Sequence, residues 1–354
     1  MKSGASGPGL SIMRVKGVCY DAGREMMGRN WRPEFDAKVV RRELEIIKKD
    51  LHCNAVRIQG RDVQRLRIAS EYALEMGLDV WFSPELWDRS QRDTLEYLVR
   101  AAAPAEELRR RFPDRVVFSV GSEISLFNRG FLPGRNVLKR LNHKSFSEAV
   151  RSGRLNASIN EYLARAAAGV RGVFRGPLTY ASVLFEKVDW RPFDFAGADV
   201  YRGGPTPYPA RLNQYTSLGK PFANTEFGCC TFRGAGEKGG RGWQIVDWRH
   251  RTPRLTGDYV YDQTAQAREL ADLLRSNDEA GVDATFVFTF ADYTATARTK
   301  RQLRVLERMN FDPDIAHYSL VKTFPDGRHG TKYPDLPWEP KESFYAVAEY
   351  YGSH

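Results

Sequence analysis

The sequence predicts a single (β/α)8 barrel, a TIM barrel, with long loops after the fourth and seventh strands. Three observations carry this prediction. Eight short apolar runs recur along 354 residues, and amphipathic stretches separate most of them. No glycine-rich phosphate fingerprint follows the first run, which counts against an open doubly wound sheet. Several of the runs end in a carboxylate, Glu123 and Glu226 among them, where a barrel keeps its chemistry.

The elements follow in order. Residues 1–12 are rich in Gly and Ser and read as a flexible arm, leaving 13–354 for the barrel. Residues 14–21 form the first expected strand. Apolar residues at helical spacing over 34–51 give the first helix. Strand two is 53–59, helix two 62–76 with Gly77 as its C-cap, and strand three 78–83. Helix three covers 94–112 and stops before Pro113. Strand four, 116–120, leads to Glu123. A basic, irregular stretch, 127–156, comes next, then a helix over 158–174 and a fifth strand over 178–182. A loop carrying Glu186, Asp189 and Trp190 leads to strand six, 193–200. A short helix over 208–218 precedes strand seven, 220–225. A long Gly- and aromatic-rich loop, 228–258, has the length of a functional segment. Helix 262–280, strand eight (284–290), a polar tail and a last helix, 341–350, complete the chain.

Composition narrows the function. With 42% hydrophobic residues the chain can bury a large core. The net charge of +10 fits an anionic partner, but the basic residues are dispersed, as on a solvated surface. The four cysteines make no CxxC pair and the six histidines show no metal spacing, so neither a metal nor a cofactor is expected. Cys229 and Cys230 read as two buried thiols. No stretch is apolar enough to span a membrane, and reduced thiols make the cytoplasm the expected compartment.

Alternation puts Phe222, Asn224 and Glu226 on one face of strand seven, and Val117, Ser119, Gly121 and Glu123 on one face of strand four. If both faces point inward, the two carboxylates meet across the mouth. Paired carboxylates roughly 5 Å apart suit glycosyl transfer with retention, one attacking the anomeric carbon and the other protonating the leaving oxygen.

Asn54 to Ile58 at strand two, Gly121 to Glu123 at strand four, Asp199 to Tyr201 at strand six and Asn224 to Gly228 at strand seven resemble clan A, the (β/α)8 retaining glycoside hydrolases. More closely, the stretches 126–134, 226–230 and 338–342 resemble actinobacterial proteins of unestablished activity, some carrying an abortive-infection label. The clan resemblance implies Glu123 as general acid/base and Glu226 as nucleophile, with Arg57 beside Glu226 and Tyr201 donating to it. It also shows two departures. Ser122 stands where the clan has an asparagine that binds the sugar 2-hydroxyl. Strand eight lacks the usual tryptophan floor, so Phe290, Trp81 or Trp243 would stack on the sugar instead.

Glu85 and Asp292 end strands three and eight and are candidates for sugar hydroxyls, with Gln59 and Asp21 beside them. Trp87, Trp190, Trp243 and Trp248 fall in loops of the same barrel end. The basic stretch after Glu123, acting as a lid, would favour an anionic glycan. The expected substrate is therefore a carbohydrate. The competing classes are a non-catalytic binding barrel, with a part in phage defence, and a nucleic-acid binder that stacks bases on these rings.

Overall fold

Parallel pairing joins all eight apolar runs into one sheet. In the computed structural model, which describes residues 13–26, 28–141, 144–247, 253–294, 304–306, 308–309 and 311–354, the strands are β1 (Val15–Asp21), β2 (Ala55–Gly60), β3 (Asp79–Pro84), β4 (Val116–Ser122), β5 (Leu178–Ala181), β6 (Ala196–Asp199), β7 (Phe222–Phe227) and β8 (Ala284–Val287). Each pairs with its neighbour in sequence, and β8 returns to β1. A parallel bridge from Ser182 to Ala198 links β5 to β6 and closes the ring. The fold is a (β/α)8 barrel. The expected arm, 1–12, and Trp248 lie outside the described residues.

Helices α1 (Ala37–Lys49), α2 (Val63–Glu75), α3 (Gln91–Arg111), α4 (Arg154–Arg171), α5 (Tyr208–Thr216), α6 (Gln263–Glu279) and α7 (Glu342–Ser353) pack outside. Side-chain caps fix several starts: Asp36, Asp62 and Asp262 accept from backbone N–H groups of their own first turns. The Ser90 cap starts α3 three residues before the expected Thr94. Between β5 and β6 the chain runs without a helix, as the loop around Glu186 suggested.

The main core lies between strands and helices. Val18, Val56, Ile58, Val80, Phe82 and Phe118 point outward into it. Inside the barrel a small apolar plug of Val15, Cys19, Ala55, Trp81, Ala223, Ala284 and Phe286 fills the ring. Above this plug the inward positions turn polar, and the site begins there.

Strand seven departs from the expected pattern. Ala223 and Thr225 face inward, while Phe222 stacks on Tyr215 of α5 at 4.8 Å between centroids. Asn224 bonds outward to Tyr208 of α5 and Asn277 of α6. Glu226 still reaches the mouth because the register slips: Ala198 pairs with Asn224, but Asp199 pairs with Glu226. The same slip appears against β8. This bulge breaks the two-residue alternation, so two neighbouring residues, Thr225 and Glu226, both serve the barrel interior.

Candidate active site

Glu226 is 8% exposed and belongs to β7 itself rather than to a loop beyond it. Both of its oxygens are engaged. Oε1 accepts from Arg57 Nη1 at 2.8 Å and from Gln59 Nε2 at 2.7 Å, and Oε2 accepts from Tyr201 Oη at 3.2 Å. Arg57, in β2, is itself held by the Thr225 carbonyl and the Ser83 hydroxyl. Its guanidinium also lies 3.7 Å from Asp199 and 3.8 Å from Glu85. One buried cation thus stands among three carboxyl groups.

Glu123 sits just past β4 in the left-handed region, at φ 47° and ψ 41°. A non-glycine residue holds that conformation at a cost, so its surroundings must fix it. Glu186 supplies the clamp. Its Oε1 accepts from the Ser125 hydroxyl at 2.5 Å and Ser125 N–H at 3.2 Å. Its Oε2 accepts from Tyr180 Oη at 2.8 Å, and Tyr180 in turn accepts from Ile124 N–H at 2.9 Å. The carboxyl of Glu123 stays well above the usual carboxylate range. Burial is the main cause, and the charges of Asp199, Glu226 and Glu186 add to it against Arg57. The charge of Glu226 is thus felt at Glu123, which puts both groups in one site.

Asp199 joins the two rims. Its Oδ2 accepts from Ser122 at 3.2 Å, and its Oδ1 accepts from Thr225 at 2.6 Å. Ser122 and Thr225 directly precede the two catalytic candidates. Burial and the nearby Glu226 raise the Asp199 carboxyl as well, against Arg57 and its two hydroxyl donors. The Ser122 hydroxyl donates to a protein carboxyl in this structure. Glu85 directly follows β3 and is 4% exposed. Burial pushes its carboxyl up to about 7, against the charges of Arg24 and Arg57. Gln59 links it to Glu226, with Nε2 3.0 Å from Glu85 Oε1. Among the described residues Glu85 Oε2, Gln59 Oε1 and Arg57 Nη2 are buried without a hydrogen-bond partner, so this floor has spare hydrogen-bonding capacity.

The aromatic expectations divide. Trp81 is enclosed in the plug, 5.0 Å from Phe195 and 4.9 Å from Phe286 between centroids, so it offers no face to a sugar. Phe290 is fully buried against Tyr20 and Trp338. Both were expected at the rim because strand polarity was judged without knowing which layer each ring fills. Trp190 packs edge-on against Phe193. Trp243 is partly buried in the cluster that contains Tyr201, Phe288, Cys229 and Cys230. Phe288 is half-buried and edge-on to Tyr201, the donor to Glu226, and to Tyr318. Strand eight ends at Val287, three residues earlier than expected, and the Phe288–Thr289 peptide is cis.

Asp292 accepts from the N–H and hydroxyl of Thr294 and faces His317 at 3.9 Å. Cys229 and Cys230 are buried free thiols, as expected. The basic stretch is less irregular than expected, with short helices at Val137–Leu141 and Phe146–Arg151. One of its cations, Arg140, is fully buried and pinned to Asp88 at 2.7 Å. Among the described residues no three His, Cys, Asp or Glu side chains are grouped to hold a metal, and no helix is long and apolar enough to cross a membrane.

Sequence reasoning passed over Asp199 as a site residue, Phe288 and Arg24. The only signal for Asp199 was its place two residues before Tyr201. Arg24 lies in a loop after β1 with no motif around it.

No family model matches the chain, and no curated protein does either. Solved structures do. A GH113 beta-1,4-mannanase superposes with a TM-score of 0.60 at 14% identity, over 97% of this chain and 100% of that one. The GH113 beta-mannanase of Alicyclobacillus acidocaldarius gives 0.56 at 13%, over 97% and 99%. The beta-glucuronidase of Ruminococcus gnavus gives 0.53 at 16%, over 96% of this chain and 50% of that one. At these identities the likeness is one of fold.

Proposed function

We propose that the chain is a retaining glycoside hydrolase, or a transglycosylase, with Glu226 as nucleophile and Glu123 as general acid/base. The observation that carries this reading is the unequal setting of two carboxyls in one barrel mouth. Glu226 accepts three hydrogen bonds that fix both oxygens, while burial and neighbouring acids raise the Glu123 carboxyl well above the usual range. Such a split is what acid and nucleophile need.

In the first step a Glu226 oxygen attacks the anomeric carbon. The glycosidic bond breaks, and Glu123 gives its proton to the leaving oxygen. A glycosyl ester on Glu226 remains. In the second step ionised Glu123 takes a proton from water, or from a sugar hydroxyl in transfer. The resulting oxygen attacks the anomeric carbon and frees Glu226. Tyr201 and Arg57 hold the attacking carboxylate in line.

A panel of aryl glycosides, led by mannosides and glucuronides, tests this. Proton NMR during turnover should show the first product with the anomeric configuration of the substrate. An inverted first product would overturn retention. Equal inertness of the wild type and Glu226→Ala across the panel would remove the hydrolase reading.

A further inference from the structure

We propose that Arg24 forms an anion-binding subsite beside the two glutamates, selecting a sugar that carries a carboxylate or phosphate group. The proposal rests on the glycosidase reading and names the class of sugar.

Arg24 is 4% exposed. Asp21 fixes its base: Oδ1 accepts from Gly23 N–H at 2.7 Å and Arg24 N–H at 2.8 Å, and Oδ2 accepts from Arg24 Nε at 3.2 Å. The guanidinium carbon lies 4.4 Å from the centroid of the Trp31 ring and 4.8 Å from that of Phe288. Two rings and one carboxylate leave both terminal nitrogens without an oxygen partner among the described residues. The side chain is only 5% exposed, so the guanidinium keeps little contact with water, and rings do not replace in-plane acceptors.

Position ties this group to the site. Phe288 touches Tyr201, the donor to Glu226, and the charge of Arg24 acts on Glu85 and Glu226. On the other side, Trp31 meets Trp87 edge-on at 6.0 Å, and Trp87 stacks on Phe127 at 4.1 Å. The cation therefore lies between the nucleophile candidate and a track of half-buried rings.

Chemistry then favours an anion over a neutral hydroxyl. Hydroxyl hydrogens have an acceptor nearby in the Asp21 carboxylate. The open edge of Arg24 offers only donors, in the fork that matches two oxygens of a carboxylate or phosphate. Near neutral pH Glu85 is about half protonated, so it opposes such an anion weakly.

The test is calorimetric binding of glucuronate, galacturonate and mannuronate, and of the three hexose 6-phosphates, to the full chain. Each is compared with its neutral parent hexose. At least one anionic sugar should bind roughly tenfold or more tightly than its parent. The carboxylate and phosphate arms identify which anion it is. Arg24→Gln should remove that preference, and Arg24→Lys, which keeps charge without the fork, should retain part of it. Thermal melts check that both variants fold. If Arg24→Gln does not fold, the wild-type preference and its reduction in Arg24→Lys decide. A parent that binds as well as every anion, or a preference that survives intact in the variants, would overturn the subsite. Turnover separates the two proposals. A wild type that binds uronate but cleaves nothing sinks the hydrolase and keeps the subsite. One that cleaves only neutral glycosides does the reverse.

Discussion

Strand seven and strand four each bring a glutamate to the barrel mouth, and the surroundings of the two side chains differ. Glu226 faces donors: a guanidinium, an amide and a phenol hold its two oxygens. Glu123 faces acids. Asp199, Glu226 and Glu186 act on it with burial, and the clamp beneath it holds its backbone rather than its carboxyl. Identical side chains are suited to opposite tasks by what surrounds them, and Asp199 is the residue that touches both rims.

Breaking the donor side should have the largest effect. Glu226→Ala should lower kcat on the order of 10⁴-fold or more, measured on an aryl glycoside with a good leaving group. Breaking the acid side is expected to be selective. Glu123→Gln should cost about 10²- to 10⁴-fold for an alkyl glycoside and much less for a dinitrophenyl glycoside, which leaves without a proton. Equal losses for both leaving groups would argue against acid catalysis by Glu123.

Smaller changes sharpen the contrast. Tyr201→Phe removes one donor to Glu226 and should reduce kcat/KM roughly tenfold, the lower range for a hydrogen bond to a charged group. Asp199→Asn removes an acid whose charge, when ionised, raises the Glu123 carboxyl. The basic limb of the pH–kcat/KM profile should move to lower pH. An unmoved limb would mean that burial alone holds the proton.

Glu85→Gln tests the floor through stability. Burial raises this carboxyl from 4.5 to about 7 in the folded chain. The wild type thus has its full contribution below pH 4.5 and loses it as pH rises through 7. The loss is at most about 3 kcal/mol. The melting temperature of Glu85→Gln relative to wild type should therefore rise between pH 5 and pH 8. A constant difference would show that Glu85 stays charged at both values.

Much of the barrel was legible in the chain because its signals are local. Apolar runs mark strands such as β2, and a cap such as Asp62 marks a helix start. Glu123 and Glu226 were legible as carboxylates that end two runs, whereas Arg57 and Tyr201 followed from the resemblance to clan A, and both meet Glu226. Trp81 and Phe290 were misjudged because residue type does not say which layer a side chain fills. The inward face of β7 was misjudged because a bulge leaves no mark in an alternation pattern.

By itself the sequence determined eight strands in ring order and carboxylates at the ends of several of them, Glu123 and Glu226 included. Tertiary structure decided the rest. It turned Thr225 and Glu226 inward together, used Asp199 to join the rims, and left the fork of Arg24 open. The reason is distance along the chain. Arg57 and Glu226 are 169 residues apart, and no local period records their meeting. Only closure of the barrel puts a guanidinium, three acids and their donors within reach of one another.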